Sequence, residues 1–138
     1  MAGAIPLGLA MQKSGTAALV AGLLQHAVHN WSQTSILLIL FLSSAITTQI
    51  MSDAATTALL GPMAVALAQA LGHAPEAYVV TVAMASVASF FTPIGHHGNF
   101  LIYGPGRYRF KDFLIVGAPL TMLVGILVIL IGPMLWPD

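Results

Sequence analysis

The chain has 138 residues, no cysteine, four basic and four acidic side chains, and is 58 % hydrophobic and only 6 % charged. A soluble globular domain carries roughly 25 % charged residues, and a mean hydropathy of +0.93 points away from that class. The composition excludes a disulfide scaffold and a disordered segment. It also excludes a nucleic-acid binder, which needs clustered Lys and Arg against phosphate, and it leaves an integral membrane protein.

The charges are Lys13, Asp53, Glu76, Arg107, Arg109, Lys111, Asp112 and Asp138, and the uncharged stretches between them are 14–52, 54–75, 77–106 and 113–137. A membrane-spanning helix takes about 20 mostly apolar residues. Each stretch therefore holds one segment, and the first has room for two. Residues 1–13 read as the end of a membrane segment. Gly3, Pro6, Gly8 and Gly15 interrupt their apolar run, unlike the compact core of a cleaved leader. Residues 14–30 predict an interfacial helix: an apolar face of Leu and Ala ends in Gln25, His26, His29 and Asn30. Trp31 marks a water boundary.

Residues 34–51 and 56–72 predict two apolar helices. One continuous helix over 34–72 would be about 58 Å long, roughly twice the hydrocarbon thickness. The chain therefore turns back, with the turn expected at Ser52-Asp53-Ala54-Ala55, and 34–72 is a hairpin. Residues 77–91 are helical in character but cover only about 22 Å. Pro93, Gly95, Gly98, Gly104, Pro105 and Gly106 follow and cannot share one continuous helix, so 77–104 reads as a broken membrane helix. Residues 113–135 are the cleanest transmembrane span. The basic RYRFKD segment just before it is expected on the cytoplasmic side, with the last helix running outward and Trp136 at the far interface.

Three groups of residues are candidates for chemistry. Nine of the fifteen residues in 43–57 are polar, Asp53 among them. An Asp at mid-membrane costs about 2.5–3.5 kcal/mol and needs a partner or water. Hydroxyls and freed carbonyls at such a turn suit a small cation such as sodium, and free amides at the next helix start suit an anion. An ordinary surface turn, with Asp53 in water, gives the same pattern. The second group is the 92–99 break, because unwound backbone at membrane depth belongs inside protein or beside an aqueous cavity. A hydroxyl-rich hairpin and a broken helix together are the pattern of a transporter's substrate and ion site; a surface loop between short helices is the alternative. The third group is His26, His29, His96 and His97, read as helix-end or cavity-lining imidazoles rather than metal ligands, with His96 or His97 able to respond to pH. Haem ligation by these histidines is a further possibility, tested by a Soret band. No nucleophile elbow, zinc-protease or phosphate-loop motif is present, so no enzyme is expected and no cofactor is called for.

These residues resemble the C-terminal repeat of the divalent anion/sodium symporter family, the citrate-transporter-like permeases. SDAATTALLGPMAVALAQALG, from Ser52, is similar to the family's second hairpin tip and outgoing helix. TPIGHHGNFLIYGPGRYRFKDFLIVGAPL, residues 92–120, is similar to one bacterial branch with its Thr-Pro-Ile-Gly, Asn and Tyr-Gly-Pro-Gly-x-Tyr-Arg-Phe-x-Asp-Phe pattern. LGLAMQKSG, residues 7–15, resembles the lead into the interfacial helix. The implied fold is an all-α integral membrane repeat with a re-entrant hairpin, a broken helix and a final transmembrane helix. The implied activity is transport of a sulfate, dicarboxylate or citrate-class anion coupled to sodium, by a substrate domain moving against a dimeric scaffold. The substrate site would include Ser52, Asp53, Ala54, Thr92, Pro93, Gly95 and Asn99, with Ser52, Asp53, Thr92 and Asn99 as sodium ligands.

The tip departs from the family pattern: Asp53 stands where the family has Asn, and Ala54 where it has Thr. Asp53 is then either a cation ligand or a group protonated through burial, and Thr56 and Thr57 are candidates for the missing hydroxyl. One repeat alone lacks the other half of the site, so a missing N-terminal half or a homo-oligomeric partner is expected. The expected setting is a lipid bilayer, in a bacterial inner membrane, with no nucleic acid. A proton-coupled carrier and a non-transporting membrane remnant or interaction module are the alternatives.

Overall fold

The computed structural model describes residues 4–137. Seven helices follow one another: α1 (Ala4–Lys13), α2 (Thr16–Val28), α3 (Gln33–Thr47), α4 (Asp53–Leu71), α5 (Pro75–Val87), α6 (His97–Tyr103) and α7 (Phe110–Leu135). There is no strand among the described residues. The chain is an all-α membrane protein in which a hairpin, a broken helix and a long final helix succeed one another. The start of the 1–13 segment and the C-terminal Asp138 lie outside the described residues.

Local chemistry sets the helix ends. Ser32 caps α3, its side chain accepting the Ser35 amide, which satisfies one of the orphan donors of a first turn. Ser52 does the same for α4 through the amide of Ala55 at 3.3 Å. This cap moves the turn. The chain reverses over 48–52 rather than at 52–55, and Asp53 is already the first residue of α4, where a carboxylate favours the positive helix end. Gly72, at φ 77°, closes α4 while the His73 amide reaches back to the Ala68 carbonyl at 2.9 Å, a Schellman ending that glycine accommodates. Pro75 then opens α5 at the position where its missing N–H costs nothing. At the start of α7 the Arg109 amide donates to Asp112 Oδ2 at 2.6 Å and the Asp112 amide to the Arg109 carbonyl at 2.9 Å, so that helix begins three residues before the expected 113.

α4 and α7 are long and apolar enough to cross a membrane, at about 28 and 39 Å. Within the chain only 28 % and 22 % of their most apolar windows are buried. A core helix of a soluble domain would be mostly enclosed; α7 presents an open apolar face to lipid or to further protein, with Ile115, Met122, Leu130 and Met134 among its exposed side chains, whereas α4 is half-buried along most of its length. The inner stripe of α7 is Gly117, Thr121, Gly125, Ile129 and Gly132. Its glycines allow contact at backbone distance: Gly125 lies against the Phe41 ring and Gly117 against the Phe90 backbone.

The core belongs to α5. Ala77, Tyr78, Thr81, Val82, Ala85 and Ser86 are all buried. α5 packs on α3, α4 and α7, whereas the two hairpin arms touch each other only slightly. Its 13 residues span about 20 Å, too short to cross hydrocarbon. Enclosure by neighbours removes that requirement. Inside this packing the Thr81 and Ser86 hydroxyls bond back to the carbonyls of Ala77 and Val82 at 2.7 and 2.8 Å, so burial leaves neither unsatisfied.

Candidate functional site

The 88–96 break between α5 and α6 and the 48–52 turn of the hairpin meet around a cavity of about 740 Å³. Gln49, Ser52, Asp53 and Ala54 form one wall, and Gly95, His96 and His97 the other. Two regions about 40 residues apart in sequence thus form one pocket at the ends of α3, α4, α5 and α6, in which these groups share the lining with the apolar Ile50, Met51, Ile94, Phe100 and Leu101.

Side-chain bonds hold the two walls together. Thr48 is fully buried, and its hydroxyl donates to the Ser86 carbonyl at 2.8 Å, with Asp53 Oδ1 a longer second acceptor at 3.2 Å. Ser86 lies in the last turn of α5, where helix carbonyls have no internal partner; Thr48 supplies one from the tip. Thr92 Oγ1 donates to Gln49 Oε1 at 3.2 Å and accepts the Gly95 amide at 2.9 Å. The Gln49 amide nitrogen donates in turn to Ala45 O at 2.9 Å. Asn99 Nδ2 donates to the carbonyls of Ser89 and Thr92 at 3.0 and 3.1 Å, replacing helix bonds that the unwound stretch gives up. Around Gly95 the packing is tight: a Cβ there would sit 3.0 to 3.1 Å from Gln49 Oε1, Ser89 O and Thr92 Oγ1.

The carboxylate of Asp53 opens onto the cavity with 31 % of its side chain exposed. Asp53 thus stands at the first position of α4, on the cavity rim rather than inside the packed core. His96 Nε2 faces it at 3.8 Å from Oδ2. His96 Nδ1 accepts the Gly98 amide at 3.0 Å, and the His97 ring stands nearly perpendicular to that of His96 at 6.3 Å. No lysine or arginine lines the cavity. Among the described residues no group of three His, Cys, Asp or Glu converges to hold a metal ion.

The expected site residues divide into two sets. Ser52, Asp53, Ala54 and Gly95 line the cavity. Thr92, Pro93 and Asn99 stand behind its wall: Pro93 is buried, Thr92 and Asn99 are occupied within the junction, and Asn99 borders a smaller apolar cavity with Phe90 and Phe113. Thr56 is buried with its hydroxyl unpaired, as is Ser89 in the break. Thr48, Gln49 and the approach of His96 to Asp53 escaped sequence reasoning. Thr48 and Gln49 sit in the polar 43–57 stretch, but no periodicity pairs position 49 with 92 or 48 with 86.

The family model for the sodium:sulfate symporter transmembrane region matches residues 1–137. An uncharacterized transporter of Synechocystis sp. is 45 % identical over 124 residues, 90 % of this chain and 20 % of the relative. The uncharacterized transporter YfbS of Escherichia coli is 36 % identical over 135 residues, 98 % of this chain and 22 % of the relative. A sodium-dependent dicarboxylate transporter of Staphylococcus saprophyticus is 25 % identical over 144 residues, covering 96 % of this chain and 28 % of the relative. The chain spans about a fifth of the length of the first two relatives.

Proposed function

The chain belongs to the sodium:sulfate symporter family, a family of membrane transporters rather than enzymes, and on that premise we propose that it forms part of a carrier for a small oxyanion. The anion is of the sulfate, dicarboxylate or citrate class, and its transport across the cell membrane is coupled to sodium. The observation that carries this reading is the meeting of the hairpin tip with the unwound break at one cavity walled by Asp53, Ser52 and Gly95. The rest of the binding site and the scaffold come from further protein, either another part of the same polypeptide or a second copy.

Charge sets the order of events. With neutral histidines the lining carries one negative charge, that of Asp53, and no Lys or Arg. At an effective dielectric of about 20, a unit charge 5 Å from this carboxylate feels about 3 kcal/mol, and a dianion about twice that. An oxyanion is therefore repelled until a cation sits at the tip. Sodium is a hard cation that takes oxygen ligands. Asp53 and Ser52 offer theirs at the cavity, while the Thr92 oxygens and the Asn99 amide oxygen border the same junction. The unpaired hydroxyls of Thr56 and Ser89 add uncommitted oxygens close by in sequence. Sodium bound at Asp53 cancels the repulsion and makes the cavity acceptable to the anion, which couples the two fluxes.

The test is uptake against sodium and pH in the full gene product. Asp53→Asn is expected to raise the sodium concentration for half-maximal uptake by about tenfold, the loss of one charged ligand interaction. A sodium and pH profile that coincides with that of the parent would sink the assignment.

A further inference from the structure

We propose that His96 is the anion-contacting donor of this cavity, taking an oxygen of a sulfate or carboxylate group on its Nε2–H. The inference rests on the oxyanion-carrier reading and adds to it the group that touches the anion. The argument begins with Gly98. A backbone amide donates only to a ring nitrogen that bears no proton, and the Gly98 amide donates to His96 Nδ1 at 3.0 Å. In the neutral imidazole the proton is then on Nε2. That nitrogen is the one on the hairpin-tip side, 3.8 Å from Asp53 Oδ2. The distance is too long for a hydrogen bond to the carboxylate, so the N–H remains available for a ligand. The side chain is 48 % exposed and lines the cavity.

Elimination narrows the choice of donors. The cavity has no lysine or arginine. Gln49 is committed at both ends of its amide, to Thr92 and to Ala45. The Ser52 hydroxyl accepts the Ala55 amide as helix cap and has only its own proton to give. His97 and the Ser52 hydroxyl also line the cavity, but His96 has its N–H fixed on the cavity side by the Gly98 bond and stands beside the carboxylate. An oxyanion on His96 Nε2 would lie next to a cation on Asp53, so that each ligand screens the other from the wall.

The test uses the full gene product in proteoliposomes at saturating sodium, with radiolabelled sulfate and radiolabelled succinate as probes. His96→Ala is expected to raise KM for the transported probe by about tenfold and to leave Vmax within about threefold. His96→Gln, which keeps an N–H at similar reach, is expected to bring KM back to within about threefold of the parent. Which probe is carried distinguishes sulfate from dicarboxylate, and a raised KM for either supports the proposal. A merely structural role through the Gly98 bond would lower Vmax and weaken sodium activation together, without rescue by glutamine; that pattern overturns the proposal. An unchanged KM in His96→Ala overturns it and leaves the oxyanion-carrier reading intact. If His96→Ala does not accumulate, His96→Gln is compared with His96→Met, similar in size but without a donor. A higher KM in the methionine variant supports the proposal, and equal values overturn it. A parent protein that takes up neither probe, nor radiolabelled citrate, in a sodium-dependent way overturns both readings.

Discussion

Replacing Thr48 with valine removes one oxygen from the centre of the junction and leaves the side-chain volume nearly unchanged. Thr48 is fully buried, so water cannot take the place of the lost hydroxyl. The Ser86 carbonyl, now bonded at 2.8 Å, would face a methyl group at the end of α5, where the helix offers it no partner. A buried acceptor stranded in this way costs about 1–3 kcal/mol. The second contact, to Asp53 Oδ1 at 3.2 Å, involves a partly exposed carboxylate that water can rehydrate, so it contributes little to stability. The expected destabilisation is therefore about 2 kcal/mol. Thr48→Ser is the comparison: it keeps the hydroxyl and loses a methyl, about 1 kcal/mol. Equilibrium unfolding in detergent measures both, and sodium activation of uptake separates them further. The valine variant should need more sodium, because the tip carboxylate loses its anchor; the serine variant should not. A valine variant that unfolds within about 0.5 kcal/mol of the parent would refute the claim that this bond fastens the tip to the break.

Three further outcomes follow from the same geometry. Gly117→Ala places a Cβ 2.6 Å from the Phe90 carbonyl carbon and closer still to its oxygen. The obstacle is backbone, so α7 must move away from the break, and a loss of about 1–3 kcal/mol in the same unfolding assay is expected; a neutral result would place α7 elsewhere. Gly95→Ala puts an apolar methyl 3.0 to 3.1 Å from three oxygens, which should disturb the Thr92–Gln49 bond and lower Vmax more than stability; a parental uptake rate would show that the junction tolerates expansion. Tyr108→Cys, in the full gene product with any cysteines outside these 138 residues replaced, should react with a membrane-impermeant thiol reagent in inverted vesicles but not in right-side-out ones, because the Arg107, Arg109 and Lys111 segment favours the cytoplasmic side. Labelling from outside would reverse the orientation.

Much of the fold was legible because membrane chemistry writes large signals. Four charged residues within 107–112, long uncharged runs and a Pro/Gly cluster at 92–106 locate helices and break without any long-range information. The pairing of tip and break entered through resemblance to a family, and the cavity brings Asp53 and Gly95 onto facing walls. What stayed hidden depends on three-dimensional contact. The turn shifted because Ser52 caps α4 instead of joining the loop, and a serine before an Asp does not reveal which of the two begins the helix. Thr92 and Asn99 resemble ligands in a motif, and the bonds that tie them to backbone carbonyls and to Gln49 could not be read there. Distinguishing a ligand from a brace requires knowing where the carbonyls of the break point. The burial of α5 was equally unreadable, since its apolar character is shared with helices that face outward.

The bonds at the junction also bear on how the protein moves. An unwound segment leaves amides and carbonyls that each need a partner. Here the Ser86 carbonyl is satisfied by Thr48, the Ser89 and Thr92 carbonyls by Asn99, the Gly95 amide by Thr92 and the Gly98 amide by His96. Thr92 is itself tied to Gln49, so the partners of the break reach back to the hairpin tip. Separating tip from break would strand buried polar groups on both sides, at about 1–3 kcal/mol each. The two therefore favour movement as one body over hinging against each other. On the proposed function, a cation held at Asp53 would act on the tip and the break together.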